Sequence, residues 1–201
     1  AGHAAEGQVS LTYTFKEVQL SGGETATLRK PKLGISKPGY GPFDPKVMTS
    51  VRIAQPMIGL GLLEAIPSSE ILALADPDDL DGDGISGRPN VVQSVEHDVP
   101  MLGRFGWKAG EPTVSQQSAS AFAGDIGIST PLFAAAWTDC TERQAGCRAA
   151  PHGDRLTGVE ADEEVLDLVT FYSRNLAVPM RRDVNDPEVL RGKKVFYETG
   201  C

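Results

Sequence analysis

Pro187-Glu-Val-Leu-Arg-Gly192-Lys193-Lys194-Val195-Phe196-Tyr-Glu-Thr-Gly200-Cys201 closes the chain, and how it is read decides how the rest is taken. Asp186, just ahead of it, is a good N-cap, because its carboxylate can accept from the free N–H groups of a first helical turn. Pro187 suits the first helical position, where no N–H is needed. A helix is therefore predicted to run to about Thr199, with Gly200 as its C-terminal stop and a cysteine directly after the stop. The plain alternative is an ordinary amphipathic helix followed by a stray cysteine.

The 201 residues, 40% of them hydrophobic, suffice for one sizeable domain or two small ones. A net charge of −8 argues against nucleic acid or an anionic membrane as partner, since both select clustered Lys and Arg, and it suits a basic protein partner. No apolar run is long enough for a membrane span and no leader is visible. Because the chain opens at Ala1-Gly-His-Ala and closes on a cysteine, it reads as an internal piece, so a missing leader says little about compartment. Twenty-two Gly and fourteen Pro predict long loops between short elements. Of the three cysteines, Cys140 and Cys147 have six polar or small residues between them and no histidine at zinc-ligand spacing, which points to a local disulfide. By chain entropy such a loop contributes about 2.5 kcal/mol and implies an oxidising compartment; two reduced, buried thiols are the alternative.

From the N-terminus, residues 8–20 alternate apolar and polar and are rich in β-branched and aromatic types, Ser21-Gly22-Gly23-Glu24 is a turn, and 25–35 is the returning strand. The stretch from Val51 to Pro67 is the most apolar, and its one carboxylate, Glu64, is either exposed on a helix face or buried with a partner and a raised pKa. A short helix is predicted over 68–75. Beyond it Asp79, Asp81 and Asp83 alternate ahead of Gly84, the opening of a calcium loop, with the Ile85 carbonyl and Ser86 or Asn90 completing the shell. The twelfth position is Asn90, not the usual Glu, and a solvated acidic turn is the other reading. A helix is predicted from Pro112, with Val114, Ala121 and Phe122 on one face and Trp107 in the loop before it. Thr157 and Glu160 fit a capping box ahead of a helix whose Val165, Leu168, Val169, Tyr172 and Leu176 share a stripe. His3, His97 and His152 share no spacing and are assigned no metal. The expected class is mainly α with long loops and a small N-terminal β-hairpin. Three regions are expected: hairpin and loop over 1–46, helices and loops with the acidic loop and disulfide over 47–185, and the first helix of a further domain over 186–201.

Gly-Lys-Lys-Val-Phe, four residues and a Cys resembles the N-terminal helix of class I c-type cytochromes, in which that Cys opens a Cys-x-x-Cys-His haem attachment motif. The resemblance would make Cys201 a haem thioether, Gly192 a site of close helix packing, and Phe196 a haem neighbour. More broadly, Ile58-Gly-Leu-Gly-Leu-Leu-Glu64-Ala-Ile-Pro67, Ala75 to Gly87, Leu102-Gly-Arg-Phe-Gly-Trp-Lys108, Ala121 to Leu132, Thr170-Phe-Tyr-Ser-Arg-Asn-Leu-Ala-Val-Pro179 and Leu190 to Cys201, in that order, resemble the central part of the bacterial di-haem oxidoreductase family. That resemblance implies a partial cytochrome c peroxidase-like architecture without complete haem motifs, two haem c groups in the parent protein, and a periplasmic peroxidase-like activity. It also implies electron delivery by a small cytochrome or cupredoxin and a peroxide-like oxidant. Glu64 is the candidate distal acid–base group, Trp107 the candidate electron path between haems, and calcium at Asp79, Asp81 and Asp83 would pin loops near them. Two other readings stand beside it: a calcium-stabilised extracellular binding module without haem, and a di-haem electron carrier without peroxidase activity. The residues following Cys201 separate the module from the haem readings.

Overall fold

The computed structural model describes residues 7–137, 140–154 and 156–199. Strands β1 (Gln8–Gln19) and β2 (Thr25–Ser36) form an antiparallel ribbon paired from Gln8↔Ser36 to Gln19↔Thr25. At its tip Gly23 adopts φ 82°, a conformation open to glycine at no steric cost. Register places Val9, Leu11 and Tyr13 opposite Ile35, Leu33 and Pro31 on one face, yet the ribbon is largely exposed on both. Next come two short helices, α1 (Leu60–Ala65) and α2 (Ser68–Leu72), and a second hairpin of β3 (Val91–Ser94) and β4 (Val99–Leu102). Helices α3 (Val114–Ile126), α4 (Ala145–Arg148), α5 (Glu163–Asn175) and α6 (Pro187–Glu198) complete the described elements.

The mainly α expectation is corrected: helix accounts for 28% and strand for 19%, in two small antiparallel sheets, and no cytochrome c peroxidase-like fold is seen. Two physical reasons account for the difference. The hairpin strands are each 12 residues long, and the four-residue β3–β4 pair carries Pro100 opposite Gln93, so proline obscured its strand pattern. Helix α5 also starts later than the Thr157–Glu160 box suggests, because Asp162 is the N-cap and accepts from the Val165 N–H. Its predicted apolar stripe does not face the core. Buried instead are Leu166, Thr170 and Ser173, while Leu168 and Tyr172 are exposed. Helix α3 starts after Thr113, not at Pro112; of its predicted face Val114 is buried and Ala121 and Phe122 are half-buried, and Gln116, Ala119 and Ala123 are buried beside them. Helices α3 and α5 are in contact.

The core is modest. An accessible surface of 15339 Å² far exceeds the roughly 9,000 Å² of a compact chain of this mass, so much apolar surface stays uncovered. What core there is sits where α1, α3 and α5 meet. Helix α1 reaches α5 because Gly61 lies against the Arg174 backbone, where a Cβ would collide with the Arg174 carbonyl. Cys140 and Cys147 are joined by a disulfide, with Cα atoms 6.0 Å apart.

Within a helix Gly→Ala ordinarily stabilises by about 1 kcal/mol. At Gly61 the sign should reverse: G61A is expected to cost about 1–3 kcal/mol from overpacking, read as a lower denaturant midpoint, and a raised midpoint would show that α1 does not lie on α5.

Candidate functional site

Glu64 stands one turn after Gly61 on α1, on the side turned to α5. Its carboxylate accepts from Arg174 Nε (2.6 Å, at Oε2) and Nη2 (3.1 Å, at Oε1), a two-pronged contact across 110 residues of sequence. Oε1 also accepts the Val114 N–H at the start of α3 (2.8 Å). One carboxylate thus joins three helices. A second cation secures the same helix: Arg104 donates to the Leu63 and Ile66 carbonyls (2.9 and 2.6 Å) at the C-terminal end of α1, and to Ser68 Oγ (3.0 Å). Carbonyls at a helix end lack the usual N–H four residues on, and the Leu63 carbonyl here accepts the Ile66 N–H as well (3.4 Å).

The electrostatics follow from this geometry. Burial is the largest single influence on Glu64 and pushes its pKa up, but the Arg174 hydrogen bond, the Val114 N–H and the charges of Arg174 and Arg104 together outweigh it. The carboxyl lies below its ordinary value, contrary to the raised pKa expected of a buried carboxylate in an apolar run. Arg174 is correspondingly raised, first by the Glu64 hydrogen bond, against the opposing effect of burial. Only 22% of the Glu64 side chain is exposed, and Oε2 keeps a lone pair beyond the one Arg174 uses.

Beside this junction the N-terminus of α3 carries a polar network. Thr113 Oγ1 donates to Glu96 Oε2 (2.8 Å), and the buried Gln116 donates to Glu111 Oε2 (2.8 Å) while accepting the Val95 N–H (2.7 Å). Trp107 lies on a loop closed by the Phe105↔Glu111 bridge and held by Asn90 Nδ2, which donates to the Lys108 and Ala109 carbonyls (both 3.0 Å). Phe105 anchors that loop in the core, whereas the Trp107 indole is 57% exposed. Elsewhere Glu160 accepts the Ser129 and Gly153 N–H groups (3.1 and 2.6 Å), tying the 129 and 153 loops together. Burial raises its pKa, but these N–H donors, the Ser129 hydroxyl and the nearby His152 bring it below the ordinary value.

The acidic loop closes through the Asp76↔Gly87 bridge. Carboxylate oxygens of Asp76, Asp79 and Asp81 lie within 4.8 Å of one another. Asp83 is not among the three and accepts the Ile85 N–H (2.7 Å), just as Asp76, Asp79 and Asp81 accept backbone N–H groups of the loop; Ile85 and Ser86 are exposed. Asp76 was the residue missed, since it precedes the alternating aspartates.

Helix α6 presents a groove lined by Val184, Val189, Leu190, Phe196 and Tyr197, with Arg181 and Lys193 among its walls. The model of the family described as "di-haem oxidoreductase, putative peroxidase" matches residues 2–201. The chain belongs to the di-haem oxidoreductase family. No curated protein and no solved structure matches it significantly.

For a di-haem oxidoreductase the α6 groove fits the cofactor by its chemistry: apolar and aromatic side chains for a porphyrin plane, and two cations for its carboxylates. Phe196 is half exposed in that groove. A Cβ at Gly192 would meet nothing, so among the described residues no second helix packs there. Cys201 lies outside the described residues. Arg174 and Arg104 escaped the sequence reading. A lone carboxylate in an apolar run asks for a cationic partner, but a separation of 110 residues gives no spacing signal to name it.

Both depressed carboxyls give stability that is fully present above their ordinary value of 4.5 and is lost as pH falls through the folded value. E64Q should therefore cost about 1.5–3 kcal/mol at neutral pH, the range for hydrogen bonds to charged groups. The gap from wild type should shrink on acidification below pH 4.5. Chemical denaturation at both pH values checks this, and a constant gap contradicts it.

Proposed function

We propose that this chain is the central part of a periplasmic peroxidase-like oxidoreductase. In this reading a donor protein such as a small cytochrome or cupredoxin passes electrons through two haem c groups to a peroxide-like oxidant. The observation that carries the reading is a single ionised carboxylate, Glu64, held by two N–H prongs of Arg174 and one of Val114, within a chain of the di-haem family. Haem, when bound, supplies the electrons that a peroxide O–O bond takes up on cleavage. The chain's own residues manage protons and placement. Glu64 Oε2 accepts a proton from the peroxide and returns it to the departing oxygen, and depression of its pKa makes the protonated form a ready donor. Phe196, Val189 and Leu190 would hold the apolar haem, Arg181 and Lys193 would pair with its carboxylates, and Cys201 would supply a thioether anchor. Trp107, exposed on a loop pinned by Asn90, is the residue assigned in this reading to electron transfer between the two centres. An acidic chain suits a basic donor protein.

Calcium in the 76–87 loop is the structural part of this proposal. Its support is a set of hard oxygen donors, Asp76, Asp79 and Asp81, which suit that ion, on glycines at 82 and 84 with φ 71° and 84° that allow the sharp turn. Calorimetric titration of the full-length protein with calcium should show binding that Asp81→Ala abolishes; no heat with the wild type removes the ion from the account.

The principal test is the full-length parent, exported and matured in a cell competent for haem attachment. Two haems per chain by pyridine haemochrome, with hydrogen peroxide turnover that falls at least tenfold in E64Q, are expected for a group doing acid–base work. Two haems with no peroxide turnover would favour the electron carrier, and no haem would favour the calcium-stabilised module.

A further inference from the structure

Glu64 is one of several carboxylates near the α1–α3–α5 junction, and what sets it apart is the geometry of its partner. Arg174 closes a planar fork on it, Nε to Oε2 and Nη2 to Oε1, which fixes the rotation of the carboxylate plane as well as its position. Val114 N–H takes a second lone pair of Oε1, so the side of the carboxylate with acceptor capacity left is Oε2. Arg174 is itself fixed from behind. Its backbone carries Gly61 of α1, and the Leu176 carbonyl two residues on accepts the Gly59 N–H (2.9 Å). Thr170 and Ser173 of α5 are buried. The charged groups about the pair are Arg104, which binds the α1 carbonyls, and Glu96 and Asp167, which face Arg174.

We propose that Arg174 is a positioning residue for the acid–base step: its fork holds Glu64 ionised in one orientation, with Oε2 directed to receive the substrate proton. This rests on the peroxidase reading above. In the step an O–H bond of the peroxide breaks, a new O–H bond forms on Glu64 Oε2, and the hydroperoxide anion keeps the electron pair. Arg174 neither gives nor takes a proton. It sets which form of Glu64 waits for substrate and which oxygen reacts.

The test uses the full-length, haem-loaded protein with Arg174→Gln, Arg174→Lys and, separately, Val114→Pro. The last removes the N–H on Oε1 while leaving proline at a first helical position, where it is tolerated. Two readouts are taken: the infrared C=O stretch of protonated Glu64 against pH, assigned by its loss in E64Q, and the pH profile of kcat/KM for hydrogen peroxide. In R174Q the infrared midpoint and the acidic limb of kcat/KM should both move up by at least about one pH unit, a tenfold loss of kcat/KM below the limb. R174K, which keeps the charge without the fork, should restore the midpoint in part but not the full rate, and V114P should shift both readouts less than R174Q. Unmoved midpoints in R174Q and R174K would overturn the proposal, as would a moved infrared midpoint with an unmoved kinetic limb. Absence of peroxide turnover in the wild type strikes the peroxidase reading instead, and the infrared titration then decides by itself whether Arg174 governs the charge of Glu64.

Discussion

A two-pronged contact between Arg174 and Glu64 is the interaction on which the rest of the described structure depends. One short helix and two of 13 residues meet there. α1, six residues long, is far too short to be stable alone, so it exists by virtue of what its ends and faces touch. Its N-terminus is tied to the end of α5 by the Gly59 N–H, its middle lies on α5 through Gly61, its side is held by Arg174, and its last carbonyls are held by Arg104. Removing the Arg174 contact would leave a part-buried carboxylate and a part-buried guanidinium each without its counter-charge, which costs more than the bond itself contributes.

The same contact decides what Glu64 can do chemically. In an apolar run, burial alone would keep a carboxyl protonated and make it a proton donor at rest. Here burial is the largest single influence but is overcome by one guanidinium, one helix N-terminal N–H and a second cation, so the resting form is the carboxylate. The result is an ionised carboxylate held in one orientation. Leu62, Leu168, Phe171 and Tyr172 on α1 and α5, and Phe196 and Tyr197 on α6, are exposed.

Part of this was legible without coordinates. The N-terminal ribbon could be read because alternation, β-branched residues and a Ser-Gly-Gly-Glu turn are local signals, and the strands lie within a residue of the predicted bounds. α6 was legible from Asp186 and Pro187, whose cap geometry the structure shows in the Glu188 N–H bond at 2.7 Å. The α3 and α5 segments were legible as helices, and the α5 face was not. Periodicity marks an apolar stripe, and on α5 Leu168 and Tyr172 of that stripe are exposed while Leu166, Thr170 and Ser173 are buried. The acidic loop showed its aspartates, but which three converge, with Asp76 among them and Asp83 not, depends on the backbone.

What the sequence by itself determined was local and chemical: the ribbon, the cap of the last helix, the cystine pair, the lone carboxylate in an apolar run, and the ordered motifs shared with the di-haem oxidoreductase family. Such features depend on near neighbours, whose spacing the chain states outright. Only the tertiary structure decided that Glu64 is paired, with Arg174 from 110 residues away and with the first N–H of α3, and that Arg104 closes the end of its helix. Charge pairing across a fold leaves no periodic trace, because its free energy depends on distance and burial in space, and the chain records neither.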